Sequence, residues 1–225
     1  MKVSLRKQRA GMRMRLVAAA VLGCYAAVPA AAAPADIVSI KANDLKPTAI
    51  GSFKAYDVTN GVDVYNLAHR TAATAASFHV LGGQTFRVIQ GASSDAFMIR
   101  VTGVPGETGK VLQQSMIAGN VLSNGQIYLM NSAGALIMPG AVVDTARFVA
   151  STLNLSDADF LAGRLTFQRT PNAADVTIQG DGQIINQGTI RTPSGGSVYL
   201  IGTTVRNEGL ISTPQGETIL AAGQT

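Results

Sequence analysis

From Asn120 onward, short apolar runs alternate with turn-forming residues. Gln126–Met130 (QIYLM) and Ala135–Met138 (ALIM) are apolar, and Ser123-Asn124-Gly125, Asn131-Ser132-Ala133-Gly134 and Pro139-Gly140 punctuate them. Asn and Gly adopt positive φ at little cost, so this pattern predicts short strands joined by sharp turns. The runs are too short for helices and too apolar for a disordered linker. Upstream, strands are expected at Asp36–Ile40, Phe53–Val58, Val62–Leu67, Ala76–Leu81, Phe86–Gln90 and Phe97–Val101. Breaks fall at Asn60-Gly61, Gly82-Gly83 and Gly91–Ser94. Alternation is clear in FKAYDV, as in a half-buried strand.

The C-terminal part repeats. Asn186–Gly195 (NQGTIRTPSG) aligns with Asn207–Gly216 (NEGLISTPQG) at an offset of 21 residues, sharing Asn, Gly, Ile, Thr, Pro and Gly. Val198 then falls over Ile219 and Gly202 over Gly223. A period of this length is too long for one strand and fits a coil of three short strands with turns, stacked on its neighbours. Stacking predicts an amide ladder of Asn186 over Asn207, Ile190 over Ile211 inside, and an unusual φ at Gly188 and Gly209. The chain closes on a strand at Glu217–Ala222 without a polar cap, so the expectation is the N-terminal part of a longer solenoid.

One run is specific. Asn124-Gly125-Gln126, the turn Asn131–Gly134 and Phe148–Phe167 (FVASTLNLSDADFLAGRLTF) together resemble the filamentous-haemagglutinin N-terminal secretion domain of two-partner secretion exoproteins. Family members there read NGQ, an apolar run, NPNG, and then LVASTL-x-(I/L)-SD-x-DFLAG-x-x-x-F. The family's NPNG turn is Asn-Ser-Ala-Gly here, keeping Asn131 and Gly134 and replacing the Pro and second Asn. The resemblance runs from about Asp36 to the end and is strongest after Arg100. It implies an all-β fold, a right-handed parallel β-helix with an N-terminal cap and extra antiparallel strands. It also implies that Asn124, Gly125, Asn131 and Gly134, with Ser156, Asp157, Asp159, Phe160 and Gly163, are turn and partner-contact positions.

Charge changes the picture only at the N-terminus. Of 18 basic residues, Lys2, Arg6, Lys7, Arg9, Arg13 and Arg15 precede the first apolar run; residues 36–225 hold 12 basic against 13 acidic residues. The basic character therefore belongs to a leader, and the body offers no electrostatic case for nucleic acid. Residues 1–35 read as a secretory signal: a basic start, the apolar run Leu16–Gly23, then small residues with cleavage expected after Ala32 or Ala35. Met12 and Met14 are alternative starts. An uncleaved anchor is disfavoured by the short, Ala-rich span carrying Pro29, and a lipoprotein signal at Val21–Cys24 by its Leu before Gly. Two domains follow: the leader, 1–35, and a β-helical body, 36–225. Cys24 is the only cysteine, so the body has no disulfide and depends on packing and backbone ladders.

No reactive constellation emerges. Gly103–Lys110 (GVPGETGK) fails as a phosphate loop on its spacing and on Val111 where Ser or Thr is needed, and reads as a Pro-Gly turn. His69 and His79 lack accompanying Cys or clustered carboxylates. Asp157 and Asp159 lack a calcium-loop pattern and read as a cap or turn closure. No G-x-S-x-G elbow occurs. The expectation is no enzyme, no metal and no cofactor. The acids and bases of a polysaccharide-cleaving β-helix do not cluster either.

The leading functional expectation is therefore a secretion module. The leader would engage the Sec machinery and signal peptidase. The resemblance then implies recognition by a dedicated outer-membrane two-partner-secretion transporter through its periplasmic domains, with release to the cell surface or medium. The alternative is an adhesin module binding host glycans or proteins, which calls for an exposed aromatic row. With no Trp and 5% aromatics, such contacts are expected in a region further downstream.

Overall fold

The computed structural model describes residues 70–169 and 174–223, together with strands at 46–47, 53–58 and 62–67. The leader, the strand expected at Asp36–Ile40, the Asn60-Gly61 break and His69 lie outside the described residues.

The described strands begin with β1 (Lys46–Pro47) and an antiparallel hairpin, β2 (Phe53–Val58) and β3 (Val62–Leu67). A first coil follows: β4 (Thr71–Ala75), β5 (His79–Val80) and β6 (Thr85–Gln90). The second coil starts with β7 (Ala96–Val101), leaves as a hairpin of β8 (Val104–Gly106) and β9 (Gly109–Gln113), and returns as β10 (Ser115–Ile117) and β11 (Asn120–Ser123). The third has no excursion: β12 (Gln126–Met130), β13 (Gly134–Ile137) and β14 (Val142–Asp144). The fourth starts with β15 (Arg147–Ser151) and leaves through β16 (Asn154–Leu155), α1 (Asp157–Leu161), β17 (Phe167–Gln168) and β18 (Val176–Gln179). It resumes with β19 (Gln183–Asn186) and β20 (Thr189–Arg191). The fifth is β21 (Ser197–Gly202), β22 (Thr204–Asn207) and β23 (Leu210–Ser212), and β24 (Glu217–Ala222) begins a sixth.

Successive coils feed three sheets in the same order. The first strands form β1-β4-β7-β12-β15-β21-β24, the second β5-β10-β13-β19-β22, and the third β2-β3-β6-β11-β14-β20-β23. Pairing between coils is parallel throughout; the antiparallel pairs β1–β4 and β2–β3 stand at the N-terminal end. This is a parallel β-helix with the extra antiparallel strands that the resemblance implies.

The lumen is built by register. Parallel pairing puts each apolar side chain over another, giving the columns Phe97–Ile127–Phe148–Val198, Ile99–Leu129–Ala150–Leu200 and Phe86–Val121–Val143–Ile190. All twelve are buried in one core. Burying each large side chain contributes about 1.5–3 kcal/mol, which replaces the disulfides that the body lacks.

One strand appears where none was expected, and three expectations of strand, turn and register are corrected. Thr71–Ala75 is a strand that its small residues did not announce; it lies flat beside Phe97–Val101. The expected strand at Ala76–Leu81 shrinks to His79–Val80, because the chain turns the corner between sheets at Ala76–Phe78. The Gly103–Lys110 turn falls at Glu107-Thr108, and Pro105 and Gly106 belong to β8. Finally, the 21-residue register holds through Ile190↔Ile211 and then slips to 20, with Val198 beside Thr218 and Gly202 beside Ala222. The fourth coil turns on Pro193–Gly196, and the fifth turns one position earlier, on Thr213–Gly216.

Gly188 and Gly209 do not have positive φ. They are glycine for a different reason: a Cβ on Gly209 would overlap the Gly188 carbonyl, and one on Gly188 would sit 2.7 Å from the carbonyl oxygens of Met138 and Ala141. Gly119 meets the same restriction in the second coil, against Leu81 and Gln84. In the second, fourth and fifth coils this two-residue corner is thus too tight for a side chain, whereas the first and third coils turn it on the four residues Leu81–Gln84 and Met138–Ala141.

Candidate functional site

The residues singled out from sequence fall at three places. Two are the corners at either end of β12.

At the first corner, Asn124 pairs with the backbone of Gln90 in the coil below. Its Oδ1 accepts the Gln90 N–H at 2.8 Å and its Nδ2 donates to the Gln90 carbonyl at 2.7 Å. Ser123 Oγ accepts the Gly125 N–H at 3.0 Å and donates to Gln90 Oε1 at 2.8 Å. Gly125 lies so close to the Gln90 side chain that a Cβ would overlap it, and its carbonyl accepts the Ala146 N–H at 2.8 Å. Asn124 itself is exposed.

At the second corner, Asn131 is buried. Its Oδ1 accepts the Ala133 N–H at 3.0 Å, the local side-chain turn expected of Asn. Its Nδ2 donates to the Gln113 carbonyl and to Ser115 Oγ, both at 2.8 Å, and its N–H donates to the Ser151 carbonyl at 2.9 Å. Every polar group of this side chain is therefore satisfied by protein. Gly134 closes the turn, donating to the Asn131 carbonyl at 2.9 Å with φ +101°. That φ is costly for any L side chain, and a Cβ here would also overlap the Gln183 carbonyl of the next coil.

The excursions cover this second corner. β18, from the fourth coil, pairs in parallel with β9 of the second coil, Val176 beside Lys110 through Gln179 beside Gln113. The pairing bridges past the third coil, which lies between them. Gly180 then crosses the turn, so close that a Cβ would overlap the Ala133 carbonyl.

The third place is Ser156–Gly163, where the expected turn is a short helix. Ser156 is its N-cap, accepting the Asp159 N–H at 3.1 Å. The helix ends in a Schellman arrangement: Gly163, at φ +73°, donates to the Phe160 carbonyl at 3.0 Å, and Arg164 donates to the Asp159 carbonyl at 2.8 Å. Asp159 bonds Ser156 Oγ and Arg164, and these partners hold its carboxyl below the usual carboxylate range. Asp157 pairs with Arg100 at 2.8 Å, and that guanidinium also donates to the Leu155 carbonyl and to Asn154.

Phe160 explains the helix. It is fully buried against the outer face of the first sheet, in a second apolar cluster with Met98, Tyr128, Val149 and Leu155. Its ring meets Tyr128 edge-on at 5.3 Å, and Arg70 lies over the other side while donating to its carbonyl at 3.0 Å. The motif is a clamp on the outside of the solenoid.

The repeat residues form the expected ladder. Asn186 stands beside Asn207 and donates to its Oδ1 at 2.7 Å, while Asn186 Oδ1 accepts the Gly188 N–H at 3.2 Å. Ile190 stands beside Ile211. Sequence reasoning missed Gln90, Gln113, Ser115 and Gln183, the partners of the two corners, and Arg70 and Arg100, the partners of the helix. These lie 16 to 90 residues away along the chain, and no local pattern marks them.

No cluster of three or more metal-ligating side chains occurs among the described residues. His79 is buried with its pKa lowered by desolvation, and its Nδ1 accepts the Met116 N–H at 3.3 Å. Among the described residues every aromatic side chain is buried or half-buried, so the exposed row sought for an adhesin does not appear. No described helix is long and apolar enough to cross a membrane.

What the coils and clamps define is a β-solenoid shaped by stacking. A family model, the TPS secretion domain, matches residues 26–225, and the chain belongs to that family. It is a secretion-targeting family and not a catalytic one. Among solved structures, the chain is similar to the HMW1 secretion domain from Haemophilus influenzae, at 29% identity and a TM-score of 0.69, over 80% of this chain. The match spans 44% of that chain, less than half its length. Curated proteins yield no match.

Proposed function

We propose that this chain targets an exported protein to a dedicated outer-membrane transporter, whose periplasmic domains read the segment Asn124–Gly134 before it folds. Residues 1–35 serve as the leader for the Sec machinery and are removed by signal peptidase, leaving a mature N-terminus at Ala33 or Asp36. The coils then fold outside the cell in chain order. Each completed coil offers a row of backbone donors and acceptors to the next, so folding energy released coil by coil opposes backsliding without ATP.

The observation that carries the recognition step is the burial of Asn131 and Gly134. A partner reading this turn has access to it only in the unfolded or nascent chain. The Ser156–Gly163 motif, whose Phe160 is buried against Tyr128, we assign to scaffold.

The test pairs the chain with its cognate transporter and compares extracellular yield for Asn131→Ala with that for Ile190→Ala. Both weaken the fold, but only the first alters the proposed recognition segment. Lower secretion of Asn131→Ala at matched stability supports recognition. Equal yields of the two variants assign the corner to scaffold alone.

A further inference from the structure

We propose that residues 176–183 are a strap that hides the Asn131 corner from the transporter once the fourth coil has folded, so that folding itself ends recognition. This rests on the reading that the transporter engages Asn124–Gly134 as unfolded chain.

The order of synthesis and the order of contacts give the argument. A chain that emerges N-terminus first brings out Gln113 and Ser115 ahead of Asn131, so the Asn131 amide finds its partners as soon as the third coil forms. The other side of the turn stays open longer. Gly134 lies against Gln183, and the Ala133 carbonyl lies against Gly180, so both wait for chain some 50 residues further on.

When that chain arrives it is held from three directions. β18 pairs with β9, and the Lys110 N–H donates to the Asp175 carbonyl at 2.7 Å. Val176 and Ile178 are half-buried and pack against the lumen core. The fifth coil then fastens the far end: Thr203 Oγ1 lies 2.8 Å from the carbonyls of Asp181 and Gly182, and its N–H donates to Gly182 at 3.1 Å.

The strap is nonetheless thin. β18 is the edge of a three-stranded sheet, and Thr177, Gln179 and Gly180 are exposed. An edge strand held by two half-buried side chains opens more easily than the lumen beneath it. Gly180 is required for closure because no side chain fits between the strap and Ala133.

The only native thiol is Cys24, so Cys24→Ser with Ala133→Cys places a single thiol reporter under the strap. Its reaction with a maleimide, and binding of the chain to the transporter's periplasmic domains, are measured alone and with Gly180→Val or Ile178→Asp. The second strap variant spares the turn itself and guards against a misfolding artefact; circular dichroism confirms retained strand content. The expected result is a labelling rate roughly tenfold higher in both strap variants, with binding that the closed chain lacks. Equal labelling with and without the strap substitutions overturns the strap, whatever the transporter does. Faster labelling without any gain in binding overturns the recognition reading of the Asn131 corner and leaves the strap as a structural brace.

Discussion

The two corners of β12 both use Asn, Ser and Gly and meet opposite fates. At one end Asn124 pairs with a backbone from the coil below and remains exposed to water. At the other, Asn131 is buried and bonded by its own turn and by the second coil, and the strap from the fourth coil covers its neighbours Ala133 and Gly134. Each has an Asn, with Gly one position later at Asn124 and three positions later at Asn131, and both Asn side chains bond a neighbouring coil. The difference lies in what the rest of the chain lays over them, so a turn's sequence does not reveal whether a partner can reach it.

The largest effect is expected where both corners lose their anchor together. Phe160→Ala empties the space against Tyr128 at the centre of β12, and a loss of about 3–5 kcal/mol is expected in denaturant unfolding. Hydrogen exchange should then rise at both ends of the strand. Loosening of one end alone would show that the clamp acts locally. Gly134→Val comes next and separates the corners, since it combines an unfavourable φ with overlap on Gln183. A loss of roughly 3 kcal/mol is expected, with exchange raised at Asn131 and unchanged at Asn124.

The Asn pair gives the direct comparison. Asn131→Ala strands the buried Ala133 N–H and Ser115 hydroxyl, and should cost about 2–3 kcal/mol. Asn124→Ala leaves the Gln90 backbone groups near water and should cost about 1 kcal/mol. Equal losses would mean that burial does not distinguish the corners.

The smallest effect is set by pH. His79 lies in the same sheet as Gly134, two strands away, and faces Met116 of the strand between. Burial lowers its pKa below 6.5, so the unfolded chain binds the proton first as the solution is acidified. Stability is fully present above pH 6.5, falls as pH drops from there to the folded pKa, and is level again below it. His79→Gln, which keeps an acceptor for the Met116 N–H, should flatten that slope in thermal melts; an unchanged slope would assign it to other groups.

Much of this was legible because stacking writes itself into sequence. Asn186 over Asn207 and Ile190 over Ile211 were readable, since identical residues recur where identical environments recur. Gln126–Met130 was readable because its flanking turns are chemically distinctive. Thr71–Ala75 was not, because a strand of Ala and Thr shows no alternation of size. The slip from Val198–Ile219 to Val198–Thr218 was also hidden: the turn Thr213–Gly216 is one residue shorter, and it lies inside the segment whose residues still match at 21. The helix at Ser156–Gly163 was missed because it forms to place Phe160 on a surface built by residues as distant as Met98.

The tight corner of stacked glycines also sets how such a molecule is able to grow. Ala96 stands beside Gln126, Gln126 beside Arg147, Arg147 beside Ser197 and Ser197 beside Glu217, so successive coils use 30, 21, 50 and 20 residues. Both long coils take their extra residues between the first and second sheets, and none at the corner of Gly119, Gly188 and Gly209. Each coil, long or short, advances the axis by the same single strand spacing of about 4.8 Å. Insertions therefore widen the rod without lengthening it. A foreign segment grafted beside Thr203, the corresponding corner of the fifth coil, would be carried on the flank of the solenoid while the register of every later coil stayed as it was.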